Sequence, residues 1–135
     1  MEAGSESKRE ILLADDDGWL ALAIEAKLKS VGFEVHSLWD GSDLWTTLQS
    51  LKPDLLILSM QLPGVEPLEI CRRIHLPAER HLPVILLTHH YSESDVVEAL
   101  RLGAEEVVAK PLCLGELTAR AESLLGLFHR PPGRG

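Results

Sequence analysis

Pro53-Asp54-Leu55-Leu56-Ile57-Leu58-Ser59-Met60-Gln61-Leu62-Pro63-Gly64 carries four consecutive apolar residues, entered through a proline and an acid and left through a polar step into a Pro-Gly pair. A strand with one wet face alternates apolar and polar residues, whereas an unbroken run belongs to a strand covered on both faces, as in a parallel sheet. Ile11-Leu12-Leu13-Ala14 and Val84-Ile85-Leu86-Leu87 read the same way, and the shorter runs Phe33-Glu34-Val35 and Val107-Val108-Ala109 complete a set of five. Segments with helical spacing separate them: Leu20, Ile24, Leu28 and Val31; Leu44, Leu48 and Leu51; Leu68, Cys71 and Ile74; Val96, Val97 and Leu100; and Leu114, Leu117, Ala121, Leu124, Leu125 and Phe128. Strand and helix alternate five times, which predicts an α/β domain: a doubly wound, five-stranded parallel sheet with right-handed crossovers and five helices on its two faces.

Local chemistry agrees with that division. Asp40 or Ser42 stands where the second helix needs a cap, Pro67 suits a first turn, Ser92 precedes the fourth helix, and Gly32 and Gly103 follow helix ends. Residues 1–8 read as a disordered tail, 9–128 as the domain, and the Pro/Gly/Arg-rich 129–135 as a second tail or the start of a linker.

The chain has 135 residues, 45% apolar, 25% charged and 4% aromatic, enough for one ordinary domain with a full core. Thirteen basic against 21 acidic residues give a net charge of −8, which repels a phosphate backbone and argues against direct nucleic-acid binding. No apolar run is long enough to span a bilayer, and the polar N-terminus does not resemble a signal peptide. A cytoplasmic protein is expected, with Cys71 and Cys113 as thiols in the core or in helices, and with Trp19, Trp39 and Trp45 partly buried or, for Trp39, exposed in a loop.

Ligands of open α/β sheets bind at the carboxyl ends of the strands. The residues that follow the apolar runs are Asp15-Asp16-Asp17, Ser59, Thr88 and Lys110-Pro111. Polar residues often end strands, so each is weak evidence alone; together they would converge on one edge of the sheet.

With these residues in place, the chain resembles the receiver domain of two-component response regulators over nearly all of 9–128. The matching stretches are Ile11 to Asp17, Pro53 to Leu58 with Leu62-Pro63-Gly64, Pro83 to Thr88, and Gly103-Ala104-Glu105-Glu106 leading to Lys110-Pro111. The resemblance implies a flavodoxin-like strand order 2-1-3-4-5. It implies that Asp15 and Asp16 are the acidic pair that helps bind Mg²⁺, that Thr88 contacts a phosphoryl group and that Lys110 pairs with it. The family's phosphate-accepting aspartate would stand at Ser59.

A carboxylate can attack a phosphohistidine and form a reactive acyl phosphate; a serine hydroxyl with no base beside it is a far poorer nucleophile. The change also removes one hard oxygen ligand and one negative charge, so no cofactor is expected beyond weak Mg²⁺, with Asp16 its foremost ligand. Two further departures point the same way. Val107 replaces a residue that is often aromatic in the family and reports phosphorylation, and His89, followed by His90 and Tyr91, replaces a usually small residue at the mouth of the pocket.

These readings predict a phosphorylation-independent protein–protein interaction module with no enzyme activity. Its partners would be other signalling proteins or an output domain, with homodimerisation an expectation of the family. The face made by the fourth helix, fifth strand and fifth helix, carrying Glu98, Arg101, Glu105, Glu106 and Arg120, is the expected contact surface. The alternative is a Mg²⁺-dependent phosphoacceptor that uses Ser59 or a neighbouring carboxylate such as Asp17. A small-ligand pocket at the strand ends is a third reading. Arg72, Arg73, His75, Arg80 and His81 read as a solvated basic face, and no metal-ligand spacing joins His89 to His90.

Overall fold

The computed structural model describes residues 8–75, 81–89 and 92–127. Most of the first tail, all of the second, Phe128, Arg80, His90 and Tyr91 lie outside the described residues. The elements alternate as expected: β1 (Glu10–Ala14), α1 (Gly18–Ser30), β2 (Glu34–Leu38), α2 (Leu44–Leu51), β3 (Leu55–Ser59), α3 (Pro67–His75), β4 (Val84–Thr88), α4 (Glu93–Arg101), β5 (Glu106–Ala109) and α5 (Leu114–Leu124). All strand pairs are parallel, in the order β2-β1-β3-β4-β5.

The period of two along each strand divides the core. Leu12, Ala14, Leu56, Leu58, Val84 and Leu86 face α2, α3 and α4. Ile11, Leu13, Leu55, Ile57, Ile85 and Leu87 face α1 and α5. Every residue of β3 and β4 is buried, which is why these two runs tolerate no polar interruption before Ser59 and Thr88. The register pairs Leu13 with Ile57 and Leu58 with Leu86, so the carboxyl ends of β1, β3 and β4 finish at nearly one level.

Helix starts and stops follow local chemistry with one correction. Asp17 caps α1 by accepting the Leu20 N–H, and Ser92 caps α4 by accepting the Asp95 N–H. Neither Asp40 nor Ser42 caps α2. Asp40 instead accepts both the backbone N–H and the hydroxyl of Ser42, a turn that holds its carboxyl below the ordinary range, and the N-cap position falls to Asp43 without a side-chain bond. Beside this turn, Gly41 donates its N–H to Pro63 O, and a Cβ at Gly41 would lie 2.3 Å from a methyl of Val65. Only a glycine lets the β2–α2 and β3–α3 loops approach this closely.

Several side chains face the other way from expectation. On α4 the inward stripe is Val96, Ala99 and Leu102, whereas Val97 and Leu100 are 39% and 46% exposed. Each residue turns about 100° around a helix, and Ala99, not a larger neighbour, takes the fully buried position. On α1, Ala21 joins Ile24 and Leu28 inside, and Val31 is exposed. Trp19 is 86% exposed in the first turn of α1 instead of partly buried, and Trp39 is exposed in the loop after β2. Cys113 is exposed at the N-cap of α5, whereas Cys71 is in the core.

Candidate functional site

The carboxyl ends of β1, β3, β4 and β5 bring Asp15, Ser59, Thr88 and Lys110 into one buried cluster. Main-chain bonds hold the edge: Met60 N–H donates to Leu87 O, and Lys110 N–H donates to Thr88 O. The peptide bond between Lys110 and Pro111 is cis.

Lys110 Nζ is 2.9 Å from Asp15 Oδ2, and both side chains are almost wholly enclosed. The contact is one of charge, since no well-directed hydrogen bond reaches that oxygen. The other carboxylate oxygen of Asp15 accepts the N–H of Asp17 at 2.9 Å. Asp17 is itself committed to capping α1. Asp16 is exposed at the rim of the cluster.

Ser59 is fully buried, and its Oγ accepts the Gln61 N–H at 3.2 Å. The Gln61 side chain reaches across to β4 and accepts the His89 N–H at 3.3 Å. Gln61 thus straps the β3 loop to the β4 loop over the cluster, a role that no spacing in the sequence announces. His89 itself is exposed. Thr88 and Val107 line a small pocket with Met60, Asp95, Val96 and Ala99.

Mg²⁺ is the ion that the family resemblance implies at such an edge, and it favours oxygen ligands in octahedral geometry. The charged side chains here are Asp15, Asp16, Asp17 and Lys110; Asp17 caps α1, and Lys110 already neutralises the buried Asp15. Ser59 adds a neutral hydroxyl with one lone pair taken by Gln61. This set does not fit a tightly held divalent cation.

On the α4–β5–α5 face, Arg120 joins Glu106 to Glu116, bonding Glu116 Oε2 through two of its nitrogens. Glu98 and Arg101 line a groove along α4 with Glu93, Ser94, Val97 and Leu102. Glu105 is not part of this surface. It turns to the opposite end of the sheet, where its carboxylate accepts the Val84 N–H and pairs with His81. The expected basic face is likewise divided: Arg72 pairs with Glu69, Arg73 stacks 4.0 Å over the Trp45 ring, and His75 turns inward against the Cys71 carbonyl.

The sequence profile of the response regulator receiver domain matches residues 11–122. A protein of known structure assigned as a response regulator from Chloroflexus aurantiacus is 29% identical, with 89% of this chain and 99% of that chain covered and a TM-score of 0.81. The BeF3-activated N-terminal receiver domain of Klebsiella pneumoniae RstA is 26% identical, with 87% and 98% covered and a TM-score of 0.79. A CheY-like response regulator receiver domain protein from Methanospirillum hungatei, 22% identical over 89% and 95% of the chains, shares the fold with a TM-score of 0.81. Among the described residues no helix is long and apolar enough to cross a membrane. A profile that spans all five strands and the cluster at their carboxyl ends places this chain in the response regulator receiver domain family of signal-transduction modules.

Proposed function

We propose that this receiver domain does not accept phosphate in the usual way and signals as a phosphorylation-independent interaction module. The observation that carries the reading is Ser59: a buried hydroxyl, bonded to Gln61 N–H, at the β3 position where the family resemblance calls for an aspartate. The pairing of Lys110 with Asp15 supports it, because the ammonium that would otherwise meet a phosphoryl group already has a buried counter-charge. Asp17 is a poor substitute acceptor while its carboxylate caps α1. No enzyme activity is assigned, and Mg²⁺ binding is weak, with Asp16 the carboxylate most open to the ion.

The contact surface is the α4–β5–α5 face. Val97 and Leu100 give it exposed apolar area, and Glu98, Arg101, Glu106 and Arg120 give it charges of both signs. That mixture of exposed apolar residues and charges of both signs suits a protein partner, whether another signalling protein, an output domain or a second copy of this chain.

The test is to incubate the full chain with Mg²⁺ and a small acyl-phosphate donor and to record the intact mass at once. An unchanged mass is expected. A phosphoryl adduct lost in mild base would overturn the reading in favour of a carboxylate acceptor, and one stable in both mild base and mild acid would do so in favour of Ser59.

A further inference from the structure

At the end of the sheet opposite the receiver pocket, three metal-ligand side chains converge from three separate elements: His75 closes α3, His81 precedes β4, and Glu105 precedes β5. One ligand atom from each lies within 4.8 Å of the others. We propose that His75, His81 and Glu105 form a site for a divalent transition-metal ion of the zinc type, completed by solvent. The proposal is independent of the state of Ser59.

His75 is oriented by a backbone contact. Its Nδ1 lies 2.8 Å from Cys71 O. A carbonyl can only accept, so Nδ1 bears the proton and Nε2 presents its lone pair. That Nε2 is buried and has no hydrogen-bond partner. A backbone carbonyl on the far ring nitrogen is the support that metal-binding histidines ordinarily have. Gly103 makes room for the ring, since a Cβ there would sit 2.4 Å from Nδ1, and its φ of +114° is one that few other residues adopt.

Glu105 is held in the same manner. Its Oε1 accepts the Val84 N–H at 2.9 Å, leaving Oε2 directed at His81 Nε2, 3.0 Å away. On binding, the ion takes the place of the proton between those two atoms, and that proton moves through solvent to the other ring nitrogen of His81. Metal–ligand bonds of 2.0–2.2 Å in a tetrahedron separate ligand atoms by about 3.4 Å, so the widest gap in the cluster must close by up to about 1.4 Å while the His81–Glu105 pair opens slightly. His81 is the exposed member and can supply that movement. Two imidazoles and one carboxylate favour zinc-like ions over Mg²⁺, which prefers oxygen. Cys71 contributes its carbonyl and not its thiol, which burial and the charge of Glu105 keep protonated.

The probe is zinc itself. The full chain, prepared without a histidine tag and stripped with a chelator, is titrated with ZnSO₄ against a chromophoric competitor at neutral pH and followed by thermal melting. We expect one equivalent bound, a raised Tm, and at least tenfold weaker binding in His81→Gln and Glu105→Gln. Both variants keep the fold, since His81 is exposed and glutamine can still accept from Val84 N–H. His36→Gln, at an exposed histidine of β2 outside the cluster, should bind zinc like the parent chain. Binding of less than one equivalent, unchanged affinity in His81→Gln, or an equal loss in His36→Gln would each overturn the proposal.

Discussion

The ammonium of Lys110 and the carboxylate of Asp15 face each other at 2.9 Å in a pocket almost closed to solvent. Attraction between two such charges is offset by the cost of dehydrating them, so the pair adds little net stability, yet removing one partner strands the other. Lys110→Met should therefore lose about 3–5 kcal/mol in urea unfolding. Lys110→Met combined with Asp15→Asn should lose clearly less than the sum of the single changes. Additive losses would show that the two side chains act independently.

Ser59→Asp tests whether the missing acceptor alone separates this domain from a phosphorylatable one. The new carboxylate would be buried near Asp15, where repulsion destabilises the fold unless a cation answers it. The variant should melt below the parent chain in a chelator and recover as Mg²⁺ is added, with the parent nearly indifferent to the ion. It should also gain a base-labile phosphoryl group from a small donor. If Mg²⁺ stabilises the variant but no phosphoryl group is transferred, access past His89 and Gln61 is the remaining barrier, and Gln61→Ala should open it.

The strands and their polar ends were legible because they rest on local rules. Leu55 to Leu58 and Val84 to Leu87 are buried on both faces, so burial writes itself directly into the residues, and Ser59, Thr88 and Lys110 follow by position. The outward face of α4 was not legible. Val96 with Ala99 and Val97 with Leu100 are both apolar pairs three apart, and only packing against β5 selects the first. Trp19 illustrates the same limit, since residue type favours burial while its place in the first turn of α1 turns it to solvent. His75, His81 and Glu105 carry no motif because α3, β4 and β5 bring them together across the fold.

The approach of the two loops at Gly41 makes a packing prediction. A Cβ there would meet the Val65 side chain at 2.3, 2.7 and 2.9 Å, so Gly41→Ala should cost about 1–3 kcal/mol through overpacking. Val65→Ala removes the two closest contacts and leaves the third. In the double variant part of the loss should return, as read from urea unfolding of all four chains. Strict additivity would mean that the loops part without strain.

Cys71 makes the fold sensitive to alkali. Burial first, and the charge of Glu105 second, push its thiol from an ordinary 9.0 up to about 12. The native state then keeps a proton that the unfolded chain has already released, so the unfolded state binds fewer protons and stability falls as pH rises between these values. The limiting slope for one such group is about 1.4 kcal/mol per pH unit. Cys71→Ala lacks this loss, although it starts from a lower stability because it leaves a cavity. The advantage of the parent chain over Cys71→Ala should therefore shrink between about pH 8.5 and about pH 10.5, measured by urea unfolding with a chelator present. A constant difference across that range would mean that the thiol titrates alike in the folded and unfolded chains.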